Sequence, residues 1–154
     1  MRKQKGFSLI ELLIVVAIIL IIAAIAIPNL LKARIAANQA SAVGSLRTIV
    51  TSEVSYQSSY GGYSPTLVAL GGALPCTSSA ATACLIDPVL GAGQKSGYQF
   101  TYVAGAGAPI ASFTCAADAI TQGTTGDMHY FTDNSGVIRF NAAAAATAAD
   151  PALQ

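Results

Sequence analysis

Charged residues are scarce in this sequence. They make up 10% of the 154 residues, whereas hydrophobic residues make up 53%; an ordinary soluble domain has about 25% charged residues. After the first six residues the cations are scattered, at Lys32, Arg34, Arg47, Lys95 and Arg139. The chain therefore lacks a basic face, which argues against nucleic acid as a primary partner. So little charge indicates a membrane segment, a polymer contact surface, or both.

Residues that carry catalysis or bind metals are also few. His129 is the single histidine, and the cysteines form no Cys-x-x-Cys pair, so we predict no zinc site. No serine and aspartate accompany His129 in a recognisable catalytic pattern, and we predict neither a cofactor nor an enzyme activity. Asp127 and Asp133 lack the spacing of a calcium-binding loop. Residues 133–136 are predicted to form a turn instead.

The hydrophobic residues are concentrated near the N-terminus. All 19 residues from position 9 to position 27 are apolar except Glu11, and about 20 such residues span a membrane as a helix. Three basic residues precede this run, at positions 2, 3 and 5. By the positive-inside rule the N-terminus stays in the cytoplasm and the remainder is exported. An ordinary signal peptide has its small-residue cleavage site after the apolar core, whereas Gly6 precedes it here.

A helical pattern continues beyond this run. Pro28 is predicted to bend the helix, because proline removes one backbone hydrogen bond. Apolar residues then recur at steps of three or four from Leu31 to Val50, as in an amphipathic helix. Serine, glycine and proline residues end the pattern at about Ser58. We therefore predict one long helix over residues 7–58, with a membrane span at about residues 9–29.

Residues 59–154 are predicted to form an exported domain of loops and β-sheet. Turn-forming residues dominate residues 61–96, with one short helix at Pro65–Leu70. Candidate strands lie at residues 98–103, 110–116, 129–132 and 137–140, the last two forming a hairpin. The predicted fold class is α+β, with three or four antiparallel strands packed on the C-terminal half of the long helix. For the Ala-rich tail, residues 142–154, a short helix and a frayed end are both left open.

The segment KGFSLIELLIVVAI, residues 5–18, resembles the N-terminus of type IV pilins and type II secretion pseudopilins. Pro28 also lies where many members of that family have a helix-bending proline. The resemblance implies that residues 1–6 are a leader, which a prepilin peptidase removes between Gly6 and Phe7. The same enzyme would methylate the new amino group of Phe7.

The resemblance also implies a role for Glu11. Its carboxylate would attract the positively charged amino terminus of a neighbouring subunit during filament assembly. A carboxylate within a membrane helix is costly, so it usually has a partner. The alternative is that Glu11 is protonated or reaches the lipid headgroups.

The function implied is that of a structural subunit of a type IV pilus. Such a subunit is stored in the lipid of the inner membrane and then joins identical or related subunits in an extracellular filament. An assembly platform in the inner membrane and its ATPase would drive this step. The alternatives are a type II secretion pseudopilin, a minor pilin, or an exported protein with a membrane anchor that never polymerises.

Three cysteines lie in the exported part. Seven residues separate Cys76 from Cys84, and a disulfide between them would tie down a loop in an oxidising compartment. Cys115 is then left on a predicted strand as a free, buried thiol. Pairing of Cys115 with either of the others stays open.

Overall fold

The computed structural model describes residues 6–73 and 75–153. The predicted leader therefore lies outside the described residues, apart from Gly6. The chain divides into two compact units, Met1–Arg34 and Ile35–Gln154. The helices are α1 (Leu9–Tyr60), α2 (Leu67–Leu70) and α3 (Pro88–Gly91). The strands are β1 (Gln94–Lys95), β2 (Tyr98–Ala104), β3 (Phe113–Ala119), β4 (His129–Asp133) and β5 (Arg139–Asn141).

The first unit holds the N-terminal part of α1. Its large apolar side chains are all exposed, from 46% at Val16 to 79% at Leu9. By length and composition this helix could cross a membrane. Water is a poor solvent for such a continuous apolar surface, so this surface needs lipid or other protein against it. The helix continues through Pro28, and the bend expected there stays a prediction.

The second unit is an antiparallel sheet packed on the rest of α1. Its strands follow the order β1-β2-β3-β4-β5. Side chains alternate across a strand, so one face of the sheet carries a run of buried residues. That face meets the buried stripe of α1, and the shared core includes Leu46, Ile49, Tyr98, Phe100 and Tyr130. The predicted α+β class, with a long helix and an antiparallel sheet, is confirmed.

The residues that the structure describes form five strands, so the predicted three or four was too low. The additional strand is β1, which pairs Gln94 with Gln99 and Lys95 with Tyr98. A two-residue strand has no alternating pattern to detect. The tight turn at Ser96 and Gly97 specifies it instead, because both residues have a positive φ, 49° and 75°, as the two-residue hairpin turn requires.

Several predicted boundaries shift by a few residues. Helix α1 ends at Tyr60, two residues after the predicted Ser58. The next residue, Gly61, has a φ of 80°, which is typical of the glycine that terminates a helix. Strand β3 begins three residues later than predicted, at Phe113, and extends through an alanine-rich stretch to Ala119. Alanine occurs on both faces of this strand, so the sequence there lacks the alternation of apolar and polar residues that marks a strand.

The Ala-rich tail is held against the edge of β5. Ala152 bridges Arg139, and the Leu153 amide donates to the Ile138 carbonyl at 2.7 Å. Asp150 fixes the turn before this contact, because its carboxylate accepts hydrogen bonds from Thr147 and Asn141. These hydrogen bonds lower the pKa of Asp150, and the bond donated by the Thr147 amide contributes most.

Candidate assembly segment

The candidate functional site is the start of α1. Ser8 immediately precedes the helix, and its backbone amide donates to Glu11 Oε2 at 3.0 Å. The Leu12 amide donates to the Ser8 carbonyl at 3.3 Å. Ser8 is therefore the N-cap residue, and Glu11, at the third helical position, makes one of the two hydrogen bonds of a capping box. The S-x-x-E pattern was visible in the sequence, but our sequence reasoning missed it.

Glu11 is thus a local capping residue as well as the predicted assembly residue. A carboxylate in the first turn also interacts favourably with the positive end of the helix dipole. Its second oxygen, Oε1, makes no hydrogen bond among the residues that the structure describes. Glu11 is exposed, so this oxygen is open to a partner. It is the single charged residue between Leu9 and Leu31.

Gly6 and Phe7 precede the helix, and both are exposed among the described residues. Phe7 is 76% exposed. A Cβ added at Gly6 would meet no atom within 4 Å among the described residues. The fold therefore places no steric demand for glycine at position 6, and any such demand comes from a partner.

The cysteines lie in the second unit. Cys76 and Cys84 form a disulfide, with their Cα atoms 6.0 Å apart, as predicted from the sequence. The loop that it closes contacts α1, because the Tyr56 hydroxyl donates to the Ala80 carbonyl at 2.6 Å. Cys115 is a free, buried thiol. Burial, and to a lesser extent Glu53, raises its pKa to about 12, which keeps it protonated and unreactive.

The polar residues that could suggest chemistry are held in other contacts. His129 Nδ1 lies 2.6 Å from Asp118 Oδ1 on the neighbouring strand. Asp133 forms the predicted turn, because its side chain accepts from the Ser135 amide at 2.8 Å. In the described ranges, no three histidine, cysteine, aspartate or glutamate side chains come together as a metal site.

A buried polar network, which sequence reasoning missed, joins α1 to the sheet. Glu53 and Ser64 are both 0% exposed. The amide of Ser64 donates to Glu53 Oε2 at 2.9 Å, and its hydroxyl donates to Glu53 Oε1. The Tyr102 hydroxyl in turn donates to the Ser64 carbonyl at 2.9 Å. Burial, followed by the nearby Glu53 carboxylate, raises the pKa of Tyr102 far above its usual value.

Comparison with known proteins gives two relatives and one matching family. Residues 1–27 match the family described as the prokaryotic N-terminal methylation motif. The chain is 49% identical over 74 residues to the type IV wide pilus major component PilA4 of Thermus thermophilus, covering 46% of this chain and 56% of that protein. It is 47% identical over 62 residues to the type IV major pilin protein PilA of Myxococcus xanthus, covering 40% of this chain and 28% of PilA.

The chain therefore spans less than two thirds of the length of either relative. No solved structure matches the chain significantly. The predicted resemblance is nevertheless confirmed: this chain carries the prokaryotic N-terminal methylation motif and is similar to type IV pilins.

Proposed function

We propose that this chain is a structural subunit of a type IV pilus. One observation carries the proposal: the methylation motif, residues 1–27, contains the start of an apolar helix whose large side chains are exposed among the described residues of their unit. Such a surface can be covered by lipid before assembly and by neighbouring helices afterwards. The names of the two relatives, a pilus major component and a major pilin, favour a pilus over a secretion pseudopilus.

Maturation begins with removal of residues 1–6. A prepilin peptidase cuts between Gly6 and Phe7 and methylates the new amino group. The exposure of Phe7 and the open space around Gly6 support this step, since both residues are accessible to an enzyme. Cleavage also removes the three leader cations, which hold the N-terminus at the cytoplasmic face.

Assembly then exchanges lipid for protein around the apolar helix. This exchange is close to neutral in hydrophobic free energy, so helix packing and polar contacts must favour it. Glu11 supplies the polar contact. A charge costs roughly 2.5–3.5 kcal/mol at the centre of a membrane helix and less near its end, where Glu11 lies, and a neighbour's amino terminus can relieve that cost. An inner-membrane assembly platform and its ATPase drive extraction of the subunit, and the filament grows outside the cell.

Glu11→Gln tests this role in the native host. Glutamine keeps an oxygen that can accept the Ser8 hydrogen bond, and it also serves at this position of a capping box, so the variant removes the charge but retains the cap. We expect normal leader removal and a strong loss of filaments in sheared fractions viewed by negative-stain electron microscopy. Normal filament yield would refute the role of the Glu11 charge.

Gly6→Val tests the maturation step. The space around Gly6 predicts normal folding of the described residues, so an uncleaved product, seen as slower gel migration, would reflect the peptidase. Complete processing of the variant would contradict the cleavage site. Wild-type cells that keep the leader and form no filament would instead indicate a membrane-anchored protein that does not polymerise.

A further inference from the structure

Within the second unit, α1 has an exposed face opposite the sheet. The positions packed toward the sheet include Ala42, Leu46, Ile49, Glu53 and Tyr56. The exposed positions on this face recur at steps of three or four; this outer helix face comprises the small residues Ala36, Ala40, Gly44, Thr51 and Ser55 together with Arg47 and Val54. A Cβ added at Gly44 would meet no atom within 4 Å. The outer helix face is therefore bare among the described residues.

Arg47 lines a groove at the edge of this face, where α1 meets Leu85. The groove has a volume of about 420 Å³ and is lined by Arg47, Thr48, Thr51, Ser52, Ser55 and Leu85. Its exposed hydroxyl groups need no outside acceptor, because Thr48, Thr51 and Ser55 each donate to a carbonyl four residues earlier in the helix.

The arginine differs from these hydroxyl residues. Its side chain makes no hydrogen bond or ion pair within the described part of the chain. A guanidinium carries five N–H donors in a planar fork that matches a carboxylate. The groove therefore suits an acidic side chain that the same copy does not supply.

Most other charges in this unit already have partners. Lys95 lies 2.8 Å from Asp87, and His129 lies 2.6 Å from Asp118. Arg139 donates to the Asp150 carbonyl at 2.8 Å.

Asp127 is the exception among the acidic residues. It is exposed, and its carboxylate has no hydrogen bond or ion pair among the described residues. Asp133, by comparison, is partly buried and already accepts a hydrogen bond from Ser135. Asp127 is therefore the better counterpart for a cation from outside.

Asp127 and Arg47 do not meet in one copy. Asp127 lies in the loop between β3 and β4, which contacts α1 at Asn38 through a 2.8 Å hydrogen bond to the Thr125 carbonyl. Arg47 lies nine residues further along the helix and on the exposed side. The unmatched cation and the unmatched carboxylate thus belong to two different surfaces of the unit.

We propose that the outer helix face binds a second copy of this chain, with Arg47 of one copy pairing with Asp127 of the other. The proposal rests on the proposed function, because it requires copies that polymerise. When two copies meet through two different surfaces, each end of the pair still has one unoccupied surface. Further copies can therefore add, and the chain of copies grows into a filament unless the rotation between neighbouring copies closes it into a ring. The small side chains around Arg47 let the incoming loop approach closely.

Charge reversal tests the pair in cells that form filaments. Arg47→Glu places two carboxylates together, and we expect about a tenfold lower yield of sheared filaments at an unchanged total subunit level. Asp127→Arg should lower the yield similarly. The two changes combined should restore the yield to within about twofold of wild type, because they recreate the pair in reverse. Gln57→Glu, which adds a carboxylate at an exposed position of α1 outside the groove, should assemble normally.

Cysteine cross-linking keeps the proposal testable if a reversed charge harms folding. Arg47→Cys combined with Asp127→Cys should give disulfide-linked subunits in filaments, with the two introduced thiols identified by mass spectrometry. Three results would each overturn the pairing. The first is a normal filament yield from both single reversals, and the second is a double reversal that restores no yield together with a cysteine pair that gives no cross-link. The third is that Asp133→Arg, and not Asp127→Arg, rescues Arg47→Glu. The proposed function would survive any of these results if Glu11→Gln still abolished filaments; it would fail if wild-type cells formed none.

Discussion

Replacing Glu53 by alanine tests the buried network that joins α1 to the sheet. The Glu53 carboxylate accepts two hydrogen bonds from Ser64, and both residues are inaccessible to solvent. Alanine leaves the Ser64 amide without its acceptor in the core. An unsatisfied buried donor costs about 1–3 kcal/mol, and the cavity left by the side chain adds to this. We expect the free energy of unfolding to fall by about 3–5 kcal/mol, a large part of the 5–15 kcal/mol of a typical domain.

Glu53→Gln is the matched control. Glutamine keeps one oxygen for the Ser64 amide, and its NH2 group can donate to the Ser64 hydroxyl. That hydroxyl can then turn to the Thr66 carbonyl, which already lies 3.2 Å away. Every polar group in the network therefore keeps a partner, and we expect a loss of about 1 kcal/mol.

Guanidinium unfolding of the full-length subunit in detergent micelles measures both variants. The chain has no tryptophan, and its six tyrosines all lie between positions 56 and 130, so tyrosine fluorescence reports on the second unit without a signal from the apolar helix. Equal stabilities for the alanine and glutamine variants would refute the view that Glu53 acts as a hydrogen-bond acceptor.

Two further predictions concern the second unit. The disulfide joins cysteines separated by eight positions, so Cys76→Ser with Cys84→Ser should lower the free energy of unfolding by about 2–3 kcal/mol in chain-entropy terms; unchanged guanidinium unfolding would contradict this. Burial, assisted by Tyr130, raises the pKa of Tyr98 to about 12 from about 10 in an unfolded chain. Its stabilising contribution is therefore complete below about pH 10 and is lost as the pH rises toward 12. The free energy of unfolding of Tyr98→Phe, followed by circular dichroism, should therefore fall less steeply over that pH range than that of the wild type. An equally steep fall in both proteins would refute the assignment to Tyr98.

The features predicted correctly are those encoded by local patterns. The methylation motif and most of the apolar run lie in one stretch, residues 1–27. The aromatic alternation of β2 likewise needs no distant information. The Cys76–Cys84 pair is close enough in sequence for spacing to suggest it.

The features that were missed depend on distant partners or on turn geometry. Glu53 follows Leu46 and Ile49 on the buried stripe of α1. A carboxylate at a position of the apolar stripe indicates a buried polar contact, and this was visible in the sequence. Its partners Ser64 and Tyr102, however, come together only in the folded sheet. The pairing of His129 with Asp118 also requires the register of β3 against β4, which the sequence alone does not specify.

The mass of the subunit in purified filaments tests the filament proposal most directly. Filaments sheared from wild-type cells would be dissolved and their main protein measured intact, then sequenced from its N-terminus. We expect a chain that begins at Phe7, carries one added methyl group and retains the Cys76–Cys84 disulfide. A filament that lacks this protein, or a protein that retains residues 1–6, would contradict the proposal.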